Sequence, residues 1–292
     1  HRPPPLDGHV HTEWSWDAEG GSMQATCRRA IELGLSVVAF TDHADFTDWV
    51  SASRVEELRS TGGLPLGVRP VGRHRGSGEL DIAGYWGCVE DCRSRFPDLR
   101  ILSGVELGDP HRFPEQSAAL LAHRPLDRVL GSSHCIPMDG GLVDCSGPGV
   151  MSGDAAPERL RAYLAGTLAM VEGATPFEVL AHLDYPKRYW PHDRVPYAEP
   201  DFEAEYRAVL RALASSGRAL EVNTSRGMDP RRGLCPGPVV LRWWREEGGQ
   251  ALFFGSDAHD PTGLMRGFDV ALEAAEAAGF SRGRDPLDPW RP

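Results

Sequence analysis

Histidines and carboxylates repeatedly follow short apolar runs in this 292-residue chain. The pattern occurs in the segments 7–11 (Asp-Gly-His-Val-His), 40–43, 131–134 and 255–259, and again at 104–106 and 180–184. A short apolar run bounded by polar residues is typical of a buried strand. Many strands therefore deliver their last residues to one shared place, and imidazoles and carboxylates gathered there are suited to binding cations.

The pair His9 and His11 is the first strong signal, because side chains alternate along a strand and residues two apart point the same way. Asp257 and His259 repeat this spacing near the end of the chain. Mixed imidazole and carboxylate ligands favour Zn²⁺, Mn²⁺ or Fe²⁺ over Ca²⁺ or Mg²⁺. The candidate metal ligands are His9, His11, Asp17, His43, Glu106, His134, His182, Asp257 and His259. At three or four ligands per ion they suit two or three ions, with Glu106 as the natural bridge.

The elements that would position these residues alternate between strand and helix. Strands are predicted at 6–12, 36–41, 100–105, 128–132, 179–182, 219–223 and 251–255, each followed by a helical pattern. Such alternation predicts a parallel sheet, and seven units can close into a TIM-like barrel with its chemistry at the carboxyl ends of the strands. We predict a single domain over 1–292, with a long insertion at 46–84 and a peripheral tail at 281–292.

Composition excludes several classes of function. A formal net charge of -11 argues against a nucleic-acid surface and against anionic membranes. No apolar run approaches the ~18 residues of a membrane span. The six cysteines form no CxxC pair and are expected to be reduced thiols, which predicts a cytoplasmic protein.

These motifs together resemble the polymerase-and-histidinol-phosphatase (PHP) family of metal-dependent phosphoesterases, and in particular its histidinol-phosphatase branch. The resemblance includes Ser15-Trp16-Asp17 and the segment 221–224, and it extends from residue 6 to about 279. It implies a distorted seven-stranded β/α barrel with three metals. By position, one metal would take His9, His11, Glu106 and Asp257, a second Glu106, His134 and His182, and a third Asp17, His43 and His259. The stretch 47–84 departs from the branch, which leaves the substrate open.

Clustered divalent ions lower the pKa of a bound water and neutralise phosphoryl charge. We therefore predict attack by a water-derived nucleophile without a covalent enzyme intermediate, with Asp257, Glu106 and His259 as the catalytic set. Asp257 or a metal-held water would handle the proton of the leaving group. Arginine forks suit phosphate oxygens. The residues predicted to hold the phosphate are Arg188, Arg226, Lys187 and Asn223, with Arg188 and Arg226 preferred.

The leading interpretation is a phosphomonoesterase that converts L-histidinol phosphate to L-histidinol and phosphate in histidine biosynthesis. A second is a relative that hydrolyses another small ester, such as a nucleotide or sugar phosphate. A third is a non-catalytic PHP-like module, which the filled ligand positions oppose. A fourth is a single-metal amidohydrolase, which would need a carbamylated lysine where Glu106 stands.

Overall fold

Six parallel strands form one sheet at the centre of the protein, in a computed structural model that describes residues 4–47, 78–138 and 141–292. The sheet consists of β1 (Val37–Asp45), β2 (Arg100–Gly108), β3 (Arg128–Ser132), β6 (Val179–Leu180), β7 (Ala219–Asn223) and β8 (Leu252–Gly255), in that spatial order. A separate antiparallel hairpin pairs β4 (Cys135–Met138) with β5 (Gly141–Asp144). Because the strands of the sheet run parallel in chain order, all their carboxyl ends lie at the same edge.

Helices occupy most of the connections between these strands. They are α1 (Met23–Glu32), α2 (Ile82–Arg95), α3 (Pro114–Leu121), α4 (Ala156–Glu172), α5 (Glu203–Ser216), α6 (Pro238–Glu246) and α7 (Phe268–Ala277). The helix α1 begins with a side-chain cap, because the Ser22 hydroxyl accepts a hydrogen bond from the Ala25 amide at 3.2 Å. The helix α5 ends at Gly217, whose φ of 73° lies in the left-handed region that glycine adopts without strain.

The segment 7–11 lies between the two edge strands of the sheet. On one side the Ala39 and Thr41 amides of β1 donate to carbonyls of this segment, at 3.3 and 2.8 Å. On the other side the Gly8 amide donates to the Phe254 carbonyl of β8 at 2.9 Å. The sheet is therefore curled, with this segment across its opening. The segment was predicted as a full strand, but it makes only isolated bridges, so the described residues contain six strands in the sheet rather than seven.

Some strand boundaries match the predictions, some strands are longer than predicted, and β6 ends two residues before its predicted limit. The strands β3 and β7 have the predicted ends. The strands β1 and β2 continue several residues beyond the predicted limits, with His43 paired to Glu106. Polar ligand-type residues ended the apolar pattern there, but the backbone ladder continues through them. The β4–β5 hairpin was not predicted from the sequence.

The tail after residue 281, which was predicted to be peripheral, is anchored to the sheet by one buried residue. Trp290 is 1% exposed, and its backbone pairs with Leu252 while its ring packs edge-on against Phe254 at 4.9 Å. Burial of one large aromatic side chain is enough to anchor a short polar tail. The predicted insertion at 46–84 lies mostly outside the described residues.

Candidate metal centre

The carboxyl ends of the parallel strands bring all nine predicted metal ligands together. His43 lies in β1 and Glu106 beside it in β2, and His134, His182 and Asp257 follow the ends of β3, β6 and β8. His9 and His11 come from the bridging segment. Their Nε2 atoms lie 3.1 Å apart, so both imidazoles point the same way.

Glu106 occupies the middle of the cluster and has no exposed surface. Its Oε1 accepts hydrogen bonds from the Ser132 hydroxyl at 2.6 Å and from the imidazoles of His134 and His182 at 3.1 and 2.6 Å. Its Oε2 lies 3.2 Å from His9 Nε2 and 3.0 Å from His43 Nδ1, but forms no hydrogen bond. One buried carboxylate therefore faces imidazoles on several sides, which is the geometry of a bridging ligand.

Ligand-type atoms gather in several overlapping groups of three. Each group has its atoms within 4.8 Å of one another, and the groups are His9–His11–Glu106, His9–His182–Asp257, Glu106–His134–His182, His11–His43–His259 and His43–Asp45–His134. Together, the first three of these groups contain all the residues predicted to hold the first and second metals. For the third predicted set, Asp17 Oδ2 lies 3.1 Å from His259 Nε2 and 3.5 Å from His43 Nε2.

The donor set fits divalent cations. Nitrogen and oxygen donors of this kind suit zinc and related metals. Glu106 Oε2 and His43 Nδ1 are buried without hydrogen-bond partners, as expected for atoms that a cation would satisfy. The overlap of the groups through Glu106 allows more than one ion.

Buried charges in this cluster change one another's pKa values. Burial would raise the pKa of Glu106, but the nearby His9, His43 and His134 hold it well below its usual range. Burial lowers the pKa of His11 to about 3, helped by repulsion from His259 and His43. Burial would also lower the pKa of His9, but Glu221, Glu106 and Asp257 raise it well above its usual value. The cluster therefore holds Glu106 ionised and His11 neutral, which are the forms that bind metal, whereas His9 would have to release its proton to an incoming ion.

Sequence reasoning missed a layer of carboxylates behind the imidazoles. His9 Nδ1 bonds Glu221 Oε1 at 2.7 Å. His11 Nδ1 lies 2.9 Å from the Ser15 hydroxyl, which donates to Asp42. Asp45 Oδ1 lies 3.4 Å from His134 Nδ1. Such partners fix the ring orientation and leave the other nitrogen free for a ligand. An acidic residue inside an apolar strand, such as Glu221 between Leu220 and Val222, is the signal that could have revealed them.

Two of the converging residues have unusual backbone conformations. Asp257 has a φ of 55° and His182 a φ of 22°, and neither is glycine. Non-glycine residues in this region cost about 1–3 kcal/mol each and concentrate at functional sites. The turns after β6 and β8 therefore aim these two side chains at the cluster at the expense of local stability.

The four predicted phosphate-binding residues divide into two pairs. Arg188 and Arg226 line a cavity of about 330 Å³ next to the cluster. Arg188 is 9% exposed and bonds both Asp257 Oδ2 and Asn223 Oδ1 at 2.8 Å. Asn223 is fully buried and lies behind Arg188 instead of on the cavity wall. Lys187 turns inward, where its ammonium pairs with Asp184 Oδ2 at 2.9 Å and also donates to the Leu234 carbonyl.

The fold and the site define a class of protein. It is an α/β protein in which a curled parallel sheet brings imidazoles and carboxylates together at the carboxyl ends of its strands. Arginine side chains line the adjacent cavity. The chain belongs to the PHP domain family, whose model matches residues 7–225.

Similar proteins are histidinol phosphatases. The histidinol-phosphatase of Lactococcus lactis subsp. lactis is 26% identical over 276 residues, which cover 94% of this chain and 91% of that protein. A probable histidinol-phosphatase of Deinococcus radiodurans is 27% identical over 94% of each chain. The crystal structure of the L. lactis enzyme, complexed with zinc, L-histidinol and phosphate, has a TM-score of 0.77 over 98% of this chain and 97% of that chain, at 23% identity.

No helix in the described part of the chain has the length and apolar character needed to cross a membrane.

Proposed function

We propose that this protein is a metal-dependent phosphomonoesterase that hydrolyses L-histidinol phosphate to L-histidinol and phosphate. The observation that carries the proposal is the convergence of five imidazoles around Glu106 at the edge of a cavity that Arg188 and Arg226 also line. The PHP family membership and the histidinol phosphatases among its relatives support the same reaction. The reaction belongs to histidine biosynthesis, from which we infer a cytoplasmic location and a small-molecule substrate.

The ligand groups would hold two or three divalent ions, with zinc, manganese or iron as candidates. We assign His9, His11, Glu106 and Asp257 to one ion, Glu106, His134 and His182 to a second, and Asp17, His43 and His259 to a third. When bound, such ions lower the pKa of water and offset the charge of the phosphoryl oxygens. We also propose that the bridging segment 7–11 acts as the seventh strand of a distorted barrel, since its backbone bonds both edge strands.

The remaining chemistry belongs to side chains of this protein. Arg188 is already oriented by Asp257 and Asn223, so its guanidinium can bind phosphate oxygens without losing side-chain freedom. Asp257 lies 2.8 Å from Arg188 and 3.1 Å from His11 Nε2, and is the group we assign to proton transfer at the leaving oxygen. Glu106 fixes the imidazoles relative to one another, and His259 holds Asp17 at the cavity rim. Arg226 adds a second positive charge at the wall.

A direct test measures phosphate release from L-histidinol phosphate by the metal-loaded protein, against a panel that includes nucleotide and sugar phosphates. The proposal predicts that histidinol phosphate is the best substrate. Arg226→Ala should raise KM about tenfold with unchanged metal content, as expected for loss of one charged hydrogen bond. Arg231→Ala is the matched control, because Arg231 is 63% exposed and pairs with Asp193 outside the cavity. Absence of phosphate release from every ester would refute the proposal.

A further inference from the structure

Asp144 is a carboxylate of the cavity wall that the metal centre does not use. It is the last residue of β5 and is paired with Cys135, the residue after His134. The Cys145 amide donates to the His134 carbonyl at 2.9 Å, which fixes this end of the hairpin next to the cluster. Asp144 is 9% exposed and lines the cavity.

The partners of Asp144 are neutral. Its Oδ1 accepts hydrogen bonds from the Ser146 amide at 2.5 Å and from the Tyr185 hydroxyl at 3.1 Å. Within the ranges 4–47, 78–138 and 141–292, no ion pair joins Asp144 to a lysine, arginine or histidine, and His134 attracts its charge only from beyond ion-pairing distance. A buried carboxylate without a cationic partner is costly. A cation supplied by a ligand in the cavity would remove that cost.

Tyr185 connects this carboxylate to the proposed phosphate site. Its hydroxyl bonds Asp144, and the guanidinium of Arg188 lies over its ring, 5.2 Å from the centroid. The same ring packs 5.1 Å from His134, and Tyr189 stands edge-on to it at 5.3 Å. The cavity wall therefore places a cation and an anion at two sides of one aromatic ring. An ester with phosphate at one end and a cation a few bonds away would match both charges.

The distribution of charge decides which part of a substrate faces Asp144. Phosphate oxygens would be attracted by Arg188 and Arg226 and repelled by the Asp144 carboxylate. The leaving group of histidinol phosphate carries an ammonium and an imidazole. Its ammonium can pair with the Asp144 carboxylate, and its flat imidazole ring can pack against the rings of Tyr185 and Tyr189.

We propose that Asp144 is a specificity-determining residue that binds the ammonium of the leaving group and selects amino-alcohol phosphates over uncharged esters. This inference rests on the proposed phosphomonoesterase function, since it concerns the same cavity. It adds a role for the β4–β5 hairpin, which carries the negative side of the substrate site.

The test compares Asp144→Asn with the parent protein on two substrates, L-histidinol phosphate and 3-phenylpropyl phosphate, which has a similar length but no cation. The ratio of kcat/KM for the cationic ester to that for the neutral ester should fall about 10- to 100-fold, the effect of one charge-assisted hydrogen bond. Inhibition by free L-histidinol should weaken in parallel, whereas inhibition by inorganic phosphate should change less. Asp260→Asn is the matched control. Asp260 also lines the cavity but bonds the Thr262 amide, so this variant should keep the parent ratio.

A measurement on the parent protein avoids dependence on the folding of the variant. The deaminated analogue 3-(imidazol-4-yl)propyl phosphate should have a kcat/KM about 10- to 100-fold below that of histidinol phosphate. Equal rates for the two esters, or an unchanged ratio in Asp144→Asn, would overturn the inference. An equal loss of kcat/KM on all alkyl esters in Asp144→Asn would also overturn the inference, because it would indicate that Asp144 takes part in proton transfer. If the parent prefers a different phosphate ester, the proposed function fails, but the ratio of cationic to neutral esters still tests Asp144.

Discussion

His9 Nδ1 lies 2.7 Å from Oε1 of Glu221, while the opposite ring nitrogen of His9 lies 3.2 Å from Glu106. Glu221 also accepts a hydrogen bond from the His182 amide at 2.8 Å through its Oε2. One buried carboxylate therefore orients an imidazole and holds the backbone of a second predicted ligand. Metal-binding histidines commonly depend on such a partner, which fixes the tautomer and raises the basicity of the ligating nitrogen.

Glu221→Gln should weaken metal binding about 10- to 100-fold, because the amide cannot replace both carboxylate acceptors. Competition with a chromophoric chelator would give the affinity, and elemental analysis would give the metal content after dialysis. Glu178→Gln is the control, since Glu178 is exposed just before β6. Equal metal affinity in the two variants would show that Glu221 has no role in the metal centre.

Removal of metal should abolish phosphate release and also lower thermal stability. Ligand binding at a thousandfold excess over Kd stabilises a protein by about 4 kcal/mol, which corresponds here to a fall in Tm of roughly 8–16 °C. Calorimetry before and after chelation, followed by addition of zinc or manganese, measures both effects. In the Glu106→Gln variant, added metal should restore little of the Tm and little of the phosphate release, since Glu106 contacts the most imidazoles. Full activity in the chelated protein would contradict a metal-dependent reaction.

Lys187 should contribute to stability and not to substrate binding. Its ammonium is 3% exposed and pairs with Asp184, which also accepts hydrogen bonds from Tyr206 and Cys235. Lys187→Met leaves Asp184 buried without its cation, so the free energy of unfolding should fall by about 3–5 kcal/mol. Urea unfolding measures this loss. Arg231→Ala, which breaks an exposed ion pair, should cost less than about 1 kcal/mol. A rise in KM for Lys187→Met with unchanged stability would restore its predicted role at the phosphate.

The residues of the cluster could be predicted because the signal for each of them is local in the sequence. His9, His43 and Glu106 each stand next to a short apolar run, and parallel strands share an edge, so proximity followed from the fold class. The shared edge of the strands could be predicted without knowledge of individual contacts. The alternation of strand and helix patterns predicted the order of the elements in the same way.

Residues that act through a partner could not be found in this way. Asp45, Glu221 and Asp144 acquire their roles from side chains far away in the sequence, and an acidic residue alone does not name its partner. Lys187 and Arg188 are adjacent in the chain, but one turns into the protein interior and the other into the cavity. The direction of a side chain in a short turn depends on tertiary packing, which the spacing of residues does not encode.

His111 should make the protein less stable in mild acid, independently of the metal centre. Burial lowers the pKa of His111 to about 4, with a further contribution from Arg112, and its Nδ1 is buried without a hydrogen bond. Since the folded state resists protonation while the unfolded chain takes up a proton near pH 6.5, stability is lost as pH falls from about 6.5 toward 4. The loss at pH 5 is at most about 2 kcal/mol. His111→Asn should remove that part of the pH dependence in urea unfolding between pH 7 and pH 5, performed on chelated protein so that metal release does not contribute. His123→Gln, a substitution at an exposed histidine, is the matched control. A His111→Asn curve with the same slope as the parent would assign the acid sensitivity to other groups.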